Sequence, residues 1–144
     1  MSAEYSEDHL IQKTTADFFR DELKWKSIFG WDRETYGPNG TLGRSNQREV
    51  VLTRYLAAAL RTLNPGLPDE AYAQAIEQLT AASASLSLFQ TNRKMTALIR
   101  GRVEVTFKDA AGQTCTERLQ VIDFDDHTRN AVSYTHLTLP TKCG

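Results

Sequence analysis

The chain has 144 residues, of which 40% are hydrophobic and 24% are charged, and its formal net charge at pH 7 is −1. These values are ordinary for one soluble domain or part of one, and so small a charge argues neither for nor against a nucleic-acid partner. No stretch approaches the roughly 20 apolar residues that span a bilayer, and the N-terminus has no apolar signal core. Because Cys115 and Cys143 lie far apart without metal-ligand spacing, we expect a reduced, cytoplasmic protein with no membrane partner.

The N-terminal segment predicts a helix followed by a short strand. The helix is predicted to begin at Ser6, whose hydroxyl can cap it, and to place Phe18 on its apolar face. From Trp25 to Trp31 the apolar residues alternate with others, which predicts the strand. So many aromatic residues in one segment favour packing within the protein; stacking against nucleic acid is the alternative.

A glycine-rich turn at residues 37–43 precedes a regular amphipathic helix pattern. The turn has neither the glycine spacing nor the lysine of a phosphate-binding loop, so an ordinary turn is expected. Contact between Arg44 and a DNA phosphate at the helix start is the alternative. Ser45 is expected to cap this helix, and Pro65 to end it. Its apolar stripe is predicted to comprise Leu52, Tyr55, Leu56, Ala59, Leu60 and Leu63.

Two further helices and a β-hairpin are predicted after Pro65. One helix begins at about Asp69, and the next covers residues 88–100 and is closed by Gly101. The second of these is expected to turn inward Leu88, Asn92, Met95, Leu98 and Ile99. Alternating apolar residues from Val103 predict the first hairpin strand, and residues 114–124 predict a longer return strand. Helices followed by a β-hairpin place the chain in the α+β class.

The last residues do not resemble natural protein. Residues 132–141, VSYTHLTLPT, are the translation in one frame of a transposon-end adapter used to prepare sequencing libraries. We therefore expect residues 1–131 to be the natural part, cut near Ala131, and residues 132–144 to be non-native and excluded from fold reasoning. An edge strand is the alternative interpretation of the tail.

Several short motifs, taken in order, resemble the N-terminal region of the restriction (R) subunit of type I restriction-modification systems. The similarity covers nearly all of residues 6–130. Each motif is short, and it is their order and spacing together that are specific. They are the aromatic segment after the first helix, GTLGR at 40–44, EVVL at 49–52, LNPGLP at 63–68, AIEQLT at 75–80, the pair Asn92-Arg93, and VIDF at 121–124 leading to Asn130.

The resemblance implies a very large cytoplasmic, ATP-dependent subunit that acts on DNA. Such a subunit begins with a nuclease domain of the PD-(D/E)xK type, continues into a DNA-translocating motor and assembles with methyltransferase and specificity subunits. Its nuclease holds Mg²⁺ with an aspartate and a Glu-x-Lys motif. No Glu-x-Lys follows the hairpin here, so the chain would be an incomplete restriction-endonuclease-like α/β domain. We expect no metal, cofactor or catalytic residue within it, and Mg²⁺ and ATP only in the full-length parent.

Residues near the predicted second helix, and one acid after the hairpin, are the candidate site residues. Arg44 and Arg48 are assigned to backbone phosphates of DNA. Glu49 is a candidate accessory acid, because relatives of this nuclease fold place a glutamate on the first core helix; an ordinary surface residue is the alternative. Asp123 could be a metal ligand, but a strand end leading into a solvated acidic loop is favoured.

The leading hypothesis is an inactive N-terminal fragment of an ATP-dependent type I site-specific deoxyribonuclease, which restricts foreign DNA. It predicts an unpaired hairpin edge and bare apolar helix faces. The alternative is a non-catalytic helical module that binds a protein or nucleic acid, and it predicts a closed domain without these features. A third hypothesis, a metal-dependent hydrolase complete in this chain, depends only on Glu49 and Asp123.

Overall fold

A computed structural model of the protein describes residues 11, 13–29, 34–81 and 85–136. The chain forms two compact units, Met1–Glu49 with Ala131–Gly144, and Val50–Asn130. Among the described residues, no helix is both long and apolar enough to cross a membrane. The helices are α1 (Lys13–Asp21), α2 (Thr53–Leu63), α3 (Asp69–Thr80) and α4 (Leu88–Gly101). The strands are β1 (Lys26–Phe29), β2 (Val103–Lys108), β3 (Thr114–Leu119) and β4 (Ser133–His136).

In the first unit, α1 packs beside a parallel pair of strands. Ala16 of α1 is buried, and the Phe19 and Trp25 rings lie 4.8 Å apart between centroids. Strands β1 and β4 pair with Lys26 opposite Ser133. The strand expected near Trp25 is confirmed at Lys26–Phe29. Both the expected helix start at Ser6 and the expected strand end at Trp31 lie outside the described residues.

Strand β4 lies in the segment that the sequence assigns to an adapter. The backbone of Ser133–His136 forms the strand, as the alternative interpretation of the tail expects. A parallel pair needs a long connection, and here the whole second unit lies between the two strands in sequence. Residues 137–144 lie outside the described part. The non-native origin of residues 132–144 stays a prediction.

In the second unit, two helices and the hairpin enclose the hydrophobic core. The predicted stop of α2 is confirmed, because the helix ends at Leu63, just before Asn64-Pro65. The Tyr72 hydroxyl of α3 donates to the Asn64 carbonyl oxygen at 2.6 Å and thereby fixes the turn between the helices. The buried core residues are Leu60, Ala71, Tyr72, Ala75, Val103, Val105, Phe107 and Leu119.

The predicted start of the second helix is wrong. Helix α2 begins at Thr53, Leu52 occupies its N-cap position, and no side chain caps it. Ser45 therefore caps nothing. The Asn46 side-chain oxygen accepts a hydrogen bond from the Arg48 backbone N–H at 2.8 Å, a local turn that competes with helix formation. This turn explains why a continuous apolar pattern did not extend the helix toward Ser45.

Helix α4 is confirmed, but its inward face is only partly as expected. Ser87 and Gln90 form a capping box at its start. Met95, Leu98 and Ile99 are half-buried, whereas Leu88 is 78% exposed and Asn92 is also exposed. The helix has no buried residue among its members. Its first turn therefore presents apolar surface to solvent.

The hairpin has the predicted alternation and a shorter second strand. Val103, Val105 and Phe107 are buried and their neighbours on β2 are exposed. Strand β3 ends at Leu119 and does not reach residue 124. Beyond it, the Asn64 side chain binds both backbone groups of Gln120, at 2.7 Å to the N–H and 2.8 Å to the carbonyl. These bonds replace the ladder that a longer strand would make.

The two outer edges of the hairpin differ. On β2, the Gln74 side chain of α3 accepts from the Thr106 N–H at 3.1 Å and donates to its carbonyl at 2.6 Å, and Gln78 donates to the Glu104 carbonyl. Thr106 lies opposite Thr116 on β3. Because outward groups alternate along an antiparallel pair, Thr116 also directs its backbone groups away from its partner. Among the described residues none bonds to them.

Candidate functional site

The loop before α2 is organised by a salt bridge between Arg44 and Glu34. Arg44 Nε donates to Glu34 Oε1 at 2.8 Å, and Nη2 of the same guanidinium donates to Oε2. Only 2% of the Glu34 side chain is exposed, against 20% of the Arg44 side chain. The hydrogen bonds from Arg44 lower the pKa of Glu34 more than burial raises it. The pair is therefore ionised and closes the loop.

The glycines of this loop allow its close backbone contacts. A Cβ atom on Gly40 would lie 2.1 Å from the carbonyl oxygen of Thr35, and Gly37 and Gly43 have positive φ values of 98° and 72°. The Gly37 N–H donates to the Arg44 carbonyl at 2.7 Å. The expected turn is confirmed, and Arg44 lies inside it, not at a helix start.

Glu49 and Arg48 lie in the same loop, before α2. The predicted position of Glu49 on a core helix is wrong, because α2 begins only at Thr53. Glu49 Oε2 accepts from the Ser45 backbone N–H at 2.7 Å. Arg48 is exposed and, with Tyr36, lines a shallow depression. The structure thus brings Arg44, Arg48 and Glu49 together in one loop. Arg48 is exposed, whereas Arg44 and Glu49 are half-buried.

Asp123 is the buried acid of the second unit, and it lies in a loop after β3. It is 5% exposed. Its Oδ1 accepts from the backbone N–H groups of Asp125 and Asp126 at 3.1 and 2.9 Å, and its Oδ2 accepts from Arg129 Nη1 at 2.7 Å. Asn130 completes the loop by binding both backbone groups of Asp123. The expected strand end at Asp123 is therefore wrong, because β3 ends at Leu119, whereas Asp125 and Asp126 after it are exposed as an acidic loop, as expected.

These contacts make Asp123 a poor ligand for Mg²⁺. The hydrogen bond from the Asp126 N–H lowers its pKa most; burial opposes that shift, and the Asp125 N–H and Arg129 add to it. The carboxylate is ionised, but both oxygens are already engaged and a guanidinium lies where a cation would bind. Among the described residues, no group of three or more His, Cys, Asp or Glu side chains could hold a metal ion.

A basic surface on α4 was not among the predicted sites. The helix has no acidic residue, and Arg93, Lys94 and Arg100 are exposed on it, with exposed Arg102 directly after it. In the part of the chain that the structure describes, none of these four forms an ion pair or a side-chain hydrogen bond. Elsewhere in the described part of the chain, ion pairs are formed by Arg20, Arg44, Arg61 and Arg129.

An exposed aromatic ring lies on the same side of α4 as two of these cations. Phe89 is 75% exposed. At 3.6 residues per turn, Phe89, Arg93 and Arg100 fall within about 40° of one another around the helix axis. The signal that could have predicted this surface is the absence of acids from residues 88–102. Periodicity predicted the inward side of the helix only in part, because Leu88 and Asn92 are exposed.

Comparison with known proteins gives one family. The family model of the type I restriction enzyme R protein N terminus matches residues 4–136 of the chain. Neither the curated proteins nor the solved structures contain a match. The match covers nearly the whole chain, both units included, and extends through β4.

Proposed function

Because the chain belongs to the family of type I restriction enzyme R protein N-termini, we propose that it is part of an ATP-dependent type I site-specific deoxyribonuclease. Such an enzyme cuts foreign DNA in a cytoplasmic complex with methyltransferase and specificity subunits. The match over residues 4–136 carries the proposal. The α+β order of helices and hairpin is consistent with the nuclease-like N-terminal domain of that family.

Within this enzyme, the chain acts as a scaffold of the nuclease domain. Its buried carboxylates are committed to structure: Glu34 is paired with Arg44, and Asp123 with Arg129 and two backbone amides. A water-activating site needs carboxylates that are free to hold Mg²⁺. The proposal therefore assigns Mg²⁺, ATP and the catalytic Asp and Glu-x-Lys to other parts of the full-length enzyme.

Exposed apolar side chains and an open strand edge favour a scaffold over a closed module. Leu88 is 78% exposed, Phe89 75% and Phe124 63%. Monomeric proteins leave single apolar residues exposed, but adjacent aromatic and aliphatic side chains such as Leu88 and Phe89 favour a covering partner. The outer edge of β3, at Thr116, also favours a covering partner, because unpaired backbone groups on a sheet edge can pair with another strand.

The loop arginines have distinct proposed roles. Arg48 is exposed beside Tyr36 and is proposed to contact a DNA phosphate. Arg44 also belongs to this contact surface, but its guanidinium is engaged by Glu34 and by the Glu49 carbonyl oxygen at 3.2 Å. Its contribution is to hold the loop that presents Arg48. Glu49, whose carboxylate binds the Ser45 N–H, is kept only as a proposed accessory acid.

The test is reconstitution of the complete enzyme. The full reading frame is recovered by long-read sequencing across the locus, and its product is assayed with the methyltransferase and specificity subunits on unmodified plasmid DNA. We expect cleavage that requires both ATP and Mg²⁺, and no cleavage by the 144-residue chain alone. EDTA and a non-hydrolysable ATP analogue are the controls.

Two results would end the proposal. One is a full reading frame that encodes neither an aspartate followed by Glu-x-Lys nor a helicase-like motor. The other is cleavage by the reconstituted complex that does not depend on ATP. Mg²⁺-dependent nicking by the 144-residue chain alone would contradict the scaffold role and favour a complete hydrolase.

A further inference from the structure

We infer that the exposed side of α4 is a non-specific interface for the phosphate backbone of duplex DNA. The surface, called here the α4 basic face, comprises the four cations Arg93, Lys94, Arg100 and Arg102. This inference rests on the proposed function for its choice of DNA as the polyanion. The surface itself follows from charge, pairing and exposure in the second unit.

The first support is that no acidic residue in the described part of the chain pairs with these cations. Three exposed arginines elsewhere do have an acidic partner: Arg61 binds Asp69 at 3.1 Å, Arg20 binds Asp17 at 2.9 Å, and Arg129 binds Asp123 at 2.7 Å. Among the described residues, nothing compensates Arg93 or Arg100. Unpaired cations concentrated on one helix of a chain with a net charge of −1 form a local positive field that the total charge conceals.

The second support is the spacing along the helix. A rise of 1.5 Å per residue places Arg93 and Arg100 about 10 Å apart along the α4 axis. The major groove of B-DNA is about 12 Å wide, so two flexible arginines at that spacing can contact phosphates on both sides of it. Contacts from arginine and lysine to phosphates position a protein on DNA but do not read its sequence, so these cations are expected to bind the backbone without sequence preference.

The third support is the backbone at Arg102. Its φ of 72° and ψ of 152° lie in a region that is essentially restricted to glycine. The Arg102 side chain is exposed and contacts no partner among the described residues, so folding gives no reason for a non-glycine residue there. Strained positions of this kind concentrate at functional sites. Contact between Arg102 and a phosphate would explain why an arginine and not a glycine has this backbone conformation.

The experiment measures binding of the 144-residue chain to a fluorescently labelled 25-base-pair duplex by anisotropy, between 50 and 200 mM NaCl. With four phosphate contacts, one for each cation of the surface, the affinity should fall about 150-fold over this range, a logarithmic slope of about −3.6. The variant Arg93→Gln/Lys94→Gln/Arg100→Gln should bind more than about tenfold more weakly at 50 mM and lose most of the slope. Glutamine keeps a helix propensity close to that of Arg and Lys, so α4 should persist.

The matched control removes the same charge elsewhere. The variant Arg20→Gln/Arg54→Gln/Arg61→Gln carries the same change in net charge, at exposed arginines outside the α4 basic face. It should bind DNA as the wild type does. Thermal melting of both triple variants shows whether each is folded. Equal loss of affinity in the control, or an unchanged slope in the α4 variant, would overturn the inference.

A single substitution separates a DNA contact from a structural role. Arg102→Gly removes one cation and relieves the backbone, so its melting temperature should not fall below that of the wild type while the salt slope shrinks by about 1. A purely structural Arg102 would change melting and leave the salt slope unaltered, which contradicts its assignment.

Competitors decide the class of ligand. Unlabelled duplex should displace the probe more effectively than polyglutamate of equal charge or a single strand of the same length. Equal displacement by polyglutamate would indicate that the ligand is an acidic protein and not DNA. Tighter binding of the single strand would indicate that the ligand is single-stranded and not duplex DNA. If the α4 variant binds DNA normally and the reconstituted enzyme still cuts DNA, this inference is wrong and the proposed function stands. If the wild-type complex shows no ATP-dependent cutting, the proposed function is wrong.

Discussion

Two loops of this protein are each organised around a buried carboxylate that binds an arginine, and the two carboxylates are anchored in different ways. Glu34 depends on Arg44, whose guanidinium contacts both of its oxygens. Asp123 also binds an arginine, Arg129, but it accepts two backbone N–H groups as well. The Arg44 side chain is 20% exposed, and that of Arg129 is 45% exposed.

The difference determines where the stability of each loop is concentrated. Removing one partner of a buried pair leaves an uncompensated charge, which is strongly destabilising. That situation applies to Glu34 if Arg44 is lost. Asp123 would keep its amide donors if Arg129 were lost, and Arg129 itself is already half in water. We therefore expect the Glu34–Arg44 salt bridge to be essential for its loop and the Asp123–Arg129 salt bridge to contribute less to its own.

The largest effect is expected from Arg44→Gln. The substitution leaves the Glu34 carboxylate buried without its cation and removes the contacts to the Gln47 and Glu49 carbonyls. We expect the free energy of unfolding in urea to fall by about 3 kcal/mol. The control is Arg20→Gln, which breaks an exposed ion pair and should leave unfolding unchanged. A decrease in the free energy of unfolding no larger than that of the control would show that the Glu34–Arg44 salt bridge does not stabilise its loop.

The next effect is expected from Asp123→Asn. Asparagine keeps the shape but replaces one acceptor with an NH₂ group that faces either Arg129 or the two backbone amides. We expect the melting temperature to fall by about 5 °C. Asp125→Asn, the same chemical change on an exposed neighbour, should have no effect. Faster amide hydrogen exchange at Asp125 and Asp126, in Asp123→Asn alone, would localise the change to this loop.

Acidification should affect both loops and act more weakly than either substitution. The pKa values of Glu34 and Asp123 are lowered in the folded protein by hydrogen bonds, so each contributes stability above its unfolded pKa of about 4. That contribution is lost as the pH falls through the lower folded values. Stability measured from pH 6 to pH 2 should decline less steeply in Asp123→Asn. An identical decline in wild type and variant would contradict the ionised, hydrogen-bonded state of Asp123.

The smallest effect is expected from Arg129→Gln. The variant loses a half-exposed ion pair, but the Asp125 and Asp126 amides still hold Asp123. We expect the melting temperature to fall by less than about 2 °C. A fall as large as that of Asp123→Asn would mean that the arginine, and not the backbone amides, anchors this loop.

The sequence predicted helices and strands best where apolar residues recur at the regular helical or strand spacing. Helix α3 begins at the expected Asp69, and β2 alternates buried and exposed residues from Val103 as expected. Prediction failed where a side chain forms hydrogen bonds with the backbone, either nearby or far along the chain. Asn46 and its turn delayed α2, and Asn64 captured Gln120 and ended β3 early. Such side-chain bonds carry no periodicity, so hydrophobic spacing cannot reveal them.

The candidate site was less predictable than the fold. Arg44 was expected at a helix start, and it lies in a loop that it closes with Glu34. The choice of partner follows from which carboxylate is buried beside it, and burial is a property of the folded chain. The basic residues of α4 were visible in the sequence, yet only the structure showed that no described residue pairs with them and that Phe89 is exposed beside Arg93 and Arg100.

By itself, the sequence determined the α+β class, most helix and strand positions and the family resemblance, because each depends on residues close together in the chain or on their order. The tertiary structure alone decided the parallel pairing of Lys26 with Ser133 and the burial of Asp123. These features join segments that are brought together only when the intervening chain has folded. Their energies depend on burial and on the partners found there, which no local pattern encodes.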